Sequence, residues 1–337
     1  MYTNLVFELS MVLNNEEFHK ILAKACSRSD CLEETEEGYI DHSLASKGIM
    51  VIYRDSHYKK KVKLVVNAKL MLNSDALDLD KLIRKLSKRI SGYFDNRYRI
   101  EDFDLSGMNI TADIDVGSHQ QVSAYLKVLQ RIGRVKGFSP SAYEGIDENS
   151  SFCLDGNSNG IEFLMYDLQR AVMDRLSRTE ISQKKLKSKG EEVEGILRTE
   201  VRLVKPKAIR AYADATDVSK QIISLSEKCR DIFFDTFTRI VPFGDFYKKD
   251  KAVEIVRSEV KDSTLRRRML QLLTLIPEKK SLYLAQKAMN CRDVEKVMDA
   301  FAKINVSPVT VSKRHDVKHL KCVYDYLLGK RYKNNSI

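Results

Sequence analysis

Residues 196–204 read Ile-Leu-Arg-Thr-Glu-Val-Arg-Leu-Val, a strict alternation that fits a β-strand and no helix. Leu197, Thr199, Val201 and Leu203 fall on one side, and Ile196, Arg198, Glu200, Arg202 and Val204 on the other. A strand with charge at every second position calls for an antiparallel sheet with one buried face and one open face. Two more segments follow the rule. In 61–70, Val62, Leu64, Val66, Ala68 and Leu70 oppose Lys61, Lys63, Val65, Asn67 and Lys69. In 109–116, Ile110, Ala112, Ile114 and Val116 oppose Asn109, Thr111, Asp113 and Asp115.

Further strands are predicted at 5–9 and 48–53. A hairpin is predicted from 151–154 and 161–166, joined by Asp155-Gly156-Asn157-Ser158-Asn159-Gly160, residues that tolerate positive φ. Helical spacing appears in Leu79, Leu82, Ile83, Leu86 and Ile90, and in Val122, Tyr125, Leu126, Leu129 and Ile132. One long helix is expected after Tyr166, ending in the basic run 184–190, read as an exposed loop. From about residue 216 helical periodicity replaces the strand pattern. The expected fold is therefore α+β: a central antiparallel sheet with flanking helices over residues 1–215, then a mostly helical basic domain over 216–337. No internal repeat is evident in the sequence.

Charge divides along the same line. Residues 205–337 carry 28 Lys and Arg against 16 Asp and Glu, whereas 1–204 carry 30 against 31. The basic excess predicts a polyanion partner for the C-terminal part, because Lys and Arg displace counterions condensed on phosphates. Arg266, Arg267 and Arg268, with Lys184 and Lys185 in the earlier basic run, are the candidate DNA contacts. No apolar run reaches the roughly 18 residues of a membrane span, and residues 1–20 lack a signal-peptide pattern, so a soluble, cytoplasmic protein without a membrane partner is expected. The six cysteines are scattered and expected to be reduced. No phosphate-binding or dinucleotide-binding glycine loop occurs, which argues against an ATPase motor or a dinucleotide enzyme.

Asp113 and Asp115 share a strand face, and Glu200 completes a carboxylate set if its strand lies beside theirs. Such a set suits Mg²⁺ or Mn²⁺, with Arg198 and Arg202 steadying phosphate oxygens. The same pattern also reads as an Arg and Glu ladder on a solvated sheet face. His315, His319 and Cys322 have helical spacing but read better as a basic helix face than as a zinc site. His119 reads as a polar residue at a helix start.

Three segments in order, 108–115 (Met-Asn-Ile-Thr-Ala-Asp-Ile-Asp), 160–166 (Gly-Ile-Glu-Phe-Leu-Met-Tyr) and 196–202 (Ile-Leu-Arg-Thr-Glu-Val-Arg), resemble rolling-circle replication initiators, above all the filamentous-phage gene II type and, further off, plasmid initiators. The resemblance covers roughly residues 45–215. It implies that Tyr166 is the nucleophile, Asp113 the strand aspartate and Glu200 the carboxylate between arginines. The implied chemistry is metal-assisted nicking and rejoining at an origin, on single-stranded or melted duplex DNA, through a 5′-phosphotyrosyl bond. A homodimer and a host helicase or polymerase are further implied partners. The chain departs from the family after the tyrosine, where Tyr166-Asp167-Leu168-Gln169-Arg170 lacks the usual Lys and leaves Arg170 as the candidate cation. Asn67-Ala68-Lys69-Leu70 is similar to a family strand that precedes these segments but lacks the family's proline. No His-hydrophobe-His pair occurs, so Asp and Glu must hold any metal. A non-enzymatic DNA-binding protein on the same fold with a decayed site is the alternative, and an RNA-binding structural protein a third reading.

Overall fold

The computed structural model describes residues 4–28, 31–143, 145–177 and 183–329. Its centre is a ten-stranded antiparallel sheet. The strands are β1 (Asn4–Leu13), β2 (Leu32–Thr35), β3 (Gly38–Asp41), β4 (Ile49–Asp55), β5 (Lys60–Asn67), β6 (Asp104–Asp115), β7 (Ser139–Pro140), β8 (Ser151–Asp155), β9 (Ile161–Asp167) and β10 (Ile196–Leu203). They lie in the order β2-β3-β4-β5-β1-β6-β10-β9-β8-β7.

That order contains the same path twice. β1 leads into helix α1 (Asn15–Arg28), and β2, β3, β4 and β5 then step inward until β5 pairs with β1. After the short helix α2 (Ala68–Leu72) and helix α3 (Leu79–Tyr93), β6 leads into α4 (His119–Leu129), and β7, β8, β9 and β10 step inward until β10 pairs with β6. The antiparallel β1·β6 pair joins the halves. The repeat is one of path and not of residues, because alternation alone builds each strand and the side chains at matching positions differ.

The buried face carries Phe7 and Leu9 of β1, Leu64 of β5, Ile110 of β6, Phe163 of β9 and Val201 of β10, each at or near zero exposure. α1, α3 and α4 cover it. So do α8 (Val218–Glu227) and α9 (Cys229–Ile240), which follow α7 (Pro206–Tyr212). Beyond them lie α10 (Lys249–Glu259), α11 (Ser263–Lys279), α12 (Leu282–Ala288), α13 (Val294–Lys303), the ribbon β11 (Phe246–Tyr247) with β12 (His319–Leu320), and α14 (Val323–Leu327). One hydrophobic core runs through both parts. The Tyr125 hydroxyl donates to the Lys321 carbonyl at 2.9 Å, and Arg131 donates to the Thr310 carbonyl at 2.9 Å. Among the described residues no helix is long and apolar enough to cross a membrane.

Four local expectations are corrected. The strand predicted over 61–70 stops at Asn67, because the Asn67 side chain accepts the Leu70 N–H at 3.0 Å and caps α2. The single helix after Tyr166 is two, α5 (Leu168–Ser177) and α6 (Gln183–Glu191). The run 184–190 is therefore helical and not a loop, its polar residues being good helix formers. His315, His319 and Cys322 share no helix. His319 lies in β12 stacked on Tyr247, while the buried Cys322 thiol accepts the Gly244 N–H.

Candidate active site

The open sheet face gathers charge across β9, β10 and β6. Register places Tyr166, Arg198 and Asp113 in one row, Leu164, Glu200 and Thr111 in the next, and Glu162, Arg202 and Asn109 in the third. Gly195 sets where β10 starts. It has φ +74°, and a Cβ there would lie 2.7 Å from the Ser118 backbone nitrogen, so only glycine fits between the new strand and the start of α4.

Within the rows the side chains pair closely. Arg198 donates to both carboxylate oxygens of Asp113, Nε to Oδ1 at 2.6 Å and Nη2 to Oδ2 at 2.8 Å. Glu200, 4% exposed, accepts the Tyr166 hydroxyl on Oε1 at 2.5 Å, and on Oε2 it accepts Asn109 Nδ2 and Arg202 Nε, each at 2.9 Å. The other end of Asn109, Oδ1, is buried with no hydrogen-bond partner. Arg202 also lies 3.9 Å from Glu162 and over the Tyr143 ring at 5.6 Å.

Burial works against the charge on Glu200, but Arg202, the Tyr166 hydroxyl and Asn109 outweigh it and hold the carboxyl below its usual range. Burial, the Glu200 charge and the hydrogen bond to Glu200 push the Tyr166 phenol well above its ordinary value, against the pull of Arg198 and Arg202. The resting pair is a neutral phenol donating to an anionic carboxylate. For Glu162 burial is the leading cause of a raised carboxyl, opposed by Arg202.

The predicted residues are thus partly brought together. Tyr166, Asp113, Glu200, Arg198 and Arg202 share one face, and Asn109, Glu162 and Tyr143 join them. Asp115 lies at the exposed end of β6, where it accepts the Gly117 N–H at 2.9 Å. Arg170 turns to Asp147 at 3.0 Å, and the guanidiniums acting on the phenol are Arg198 and Arg202. The side chains of Lys184 and Lys185 lie outside the described residues. Arg266 donates to the Val260 carbonyl and Arg268 pairs with Asp293, while Arg267 is exposed. His119 stands on the far side of the sheet from the phenol, beside Asp167 at 2.8 Å.

The carboxylates do not fit a divalent ion as arranged. Both Asp113 oxygens are held by Arg198 and both Glu200 oxygens by Tyr166, Asn109 and Arg202, and among the described residues no group of three or more His, Cys, Asp or Glu could hold a metal. The sequence missed Asn109, whose only signal was its place on the Asp113 face. Above the site, Leu168, Ala171 and Val172 of α5 and Val193 of the segment after α6 pack with Cys153, Leu164 and Tyr166. No protein-family model matches this chain, and no curated protein matches it.

Proposed function

We propose that the chain is a DNA strand-transfer enzyme in which Tyr166 attacks a phosphodiester and Glu200 takes the phenol proton, the chemistry of a replication initiator that nicks and rejoins one strand. The observation that carries this reading is the 2.5 Å hydrogen bond from the Tyr166 hydroxyl to Glu200. When the proton crosses, Glu200 becomes neutral and Arg202 loses its counter-charge at the moment the attacked phosphate gains one. The Tyr166 oxygen bonds to phosphorus, the bond from phosphorus to the 3′ oxygen breaks, and the proton held on Glu200 passes to that leaving oxygen. The bond energy stays in the phosphotyrosyl ester, so the reverse path rejoins the strand without a nucleotide cofactor. No step runs through a metal. Mg²⁺ or Mn²⁺ dependence would mean that DNA binding first frees Asp113 or Glu200 from its arginine.

The second reading, a DNA-binding protein with a silent site, draws on the 6% exposure of Tyr166 beneath α5 and the segment after α6. A random-sequence pool of single-stranded DNA separates the two. Labelled at the 3′ end, the pool should leave its label on the protein in a denaturing gel, and a 5′ label should not. Tyr166→Phe should abolish the adduct, and Glu200→Gln, which keeps the shape but cannot take the proton, should slow it about 10²- to 10⁴-fold. No adduct from the parent, with or without Mg²⁺ or Mn²⁺, favours the silent site.

A further inference from the structure

The duplicated path gives the first half of the open face its own set of positions equivalent to the candidate site. Arg54, the penultimate residue of β4, pairs with Lys61 of β5, as Tyr166, the penultimate residue of β9, pairs with Arg198 of β10. One row on, Lys63 stands where Glu200 stands, paired with Ser10 of β1 as Glu200 is paired with Thr111 of β6. The half that holds a nucleophile and carboxylates therefore has a twin that holds cations.

These cations line a groove of about 650 Å³ between the sheet and the starts of α7 and α8. Arg54, Lys59, Lys61, Lys63 and Arg210 face it, with Glu8 and Asp104 as the carboxylates in the wall. Glu8 pairs with Lys63 at 2.7 Å, and Arg54 reaches Glu37 at 3.1 Å. Burial and the crowding of Lys63, Arg54 and Lys59 lower the Lys61 pKa, with Glu8 opposing. An anion in the groove relieves that crowding.

A second feature lies beside it. The first half joins β4 to β5 by a short turn, where the second half inserts α5 and α6. The tip of that turn holds Tyr58 at 92% exposure, its ring 5.5 Å from His57. An exposed aromatic ring next to a basic groove matches the two needs of single-stranded nucleic acid, a face for bases to stack on and cations for the backbone. A groove of this volume has room for a short stretch of one strand. It opens on the same sheet face as Tyr166, four strands across and nine residues along, roughly 35 Å away at ordinary strand spacings.

We propose that this groove and the Tyr58 turn hold single-stranded DNA, with Tyr58 stacking on a base and Arg54, Lys59, Lys61 and Lys63 engaging phosphates. The proposal deepens the strand-transfer reading by assigning where the strand is gripped away from the chemistry.

The test is fluorescence anisotropy of a labelled 20-nucleotide oligo-dT on the full chain carrying Tyr166→Phe, so that no covalent step enters. Lys59→Gln with Lys61→Gln should weaken binding about tenfold and flatten the log-affinity against log-salt slope by about 1.4, some 0.7 for each phosphate no longer neutralised. Tyr58→Ala, at an exposed turn where folding is safe, should weaken binding roughly tenfold and leave the slope unchanged. Lys81→Gln with Lys88→Gln on α3, the same change in charge on the helical side, sets the background. Groove and Tyr58 variants that bind no worse than this control overturn the proposal, as does an equal loss on the oligo-dT·oligo-dA duplex. The two readings fail separately. A parent that forms no adduct but shows the groove effects loses only the strand-transfer reading, and an adduct with unaffected groove variants loses only the groove.

Discussion

Glu200 is buried with a cation on one side and a phenol on the other, and each neighbour depends on its charge. Glu200→Ala leaves the half-buried Arg202 with only Glu162, at 3.9 Å, as counter-charge and strands the Tyr166 and Asn109 donors, and should cost about 3 kcal/mol in urea unfolding. Glu200→Gln removes the same charge but keeps an amide oxygen for Arg202 and Asn109 and an N–H for the Tyr166 oxygen, so it should cost less by the hydrogen bonds and packing it retains, which separates the proton-accepting role from the structural one. Tyr166 has a folded-state pKa above its unfolded value near 10, so its stabilising contribution is present below about pH 10 and is lost as pH rises toward the folded value. The stability gap between the parent and Tyr166→Phe should therefore stay level from pH 8 to about pH 9.5 and narrow as pH rises past about 10. Glu200 is depressed, so its contribution is present above the unfolded carboxylate value and lost as pH falls through the lower folded one. The adduct rate should show no loss from Glu200 between pH 8 and pH 6.

The alternation of 196–204 was enough to put Arg198, Glu200 and Arg202 on one shared face. Their partners were not legible, because they depend on register across three strands: Asp113 is spent on Arg198, and Asn109 reaches Glu200 from the neighbouring strand. Arg170 was assigned to the phosphate by its distance in sequence from Tyr166, but α5 turns it toward Asp147.

Strand faces were easier to read than strand ends. Period two continues through Ala68 and Leu70, so nothing in hydrophobicity marks the stop, which one side-chain hydrogen bond from Asn67 supplies. Asn67→Ala should cost about 1 kcal/mol through the missing cap. Gly195→Ala should cost more, about 1–3 kcal/mol, since it adds a positive-φ penalty to an approach of 2.7 Å to backbone; a thermal melt reads both. The short strands β2, β3 and β7 have too few residues to show a period.

Across the molecule, the shift in composition near residue 216 marks a change in element type and charge, while the core passes through it. Ile222, Phe233 and Phe237 of α8 and α9 are fully buried in the same cluster as Phe163 and Val201 of the sheet. A chain ending at residue 215 should expose the part of that sheet face under α8 and α9 and lose a cooperative melt, at roughly 1.5–3 kcal/mol for each large apolar side chain uncovered. The duplication stayed invisible in the sequence because it preserves strand path and face while exchanging Tyr166, Arg198 and Glu200 for Arg54, Lys61 and Lys63. It explains how one continuous face can hold both a candidate nucleophile and a cationic groove.

Mass mapping of the covalent protein-DNA species addresses the proposed chemistry most directly. After nuclease and protease digestion of the parent incubated with the single-stranded pool, the peptide containing Tyr166 should carry the added nucleotide mass, and the same peptide from Tyr166→Phe should carry none. An adduct on Tyr143, or a parent preparation in which every tyrosine stays unmodified, would contradict it.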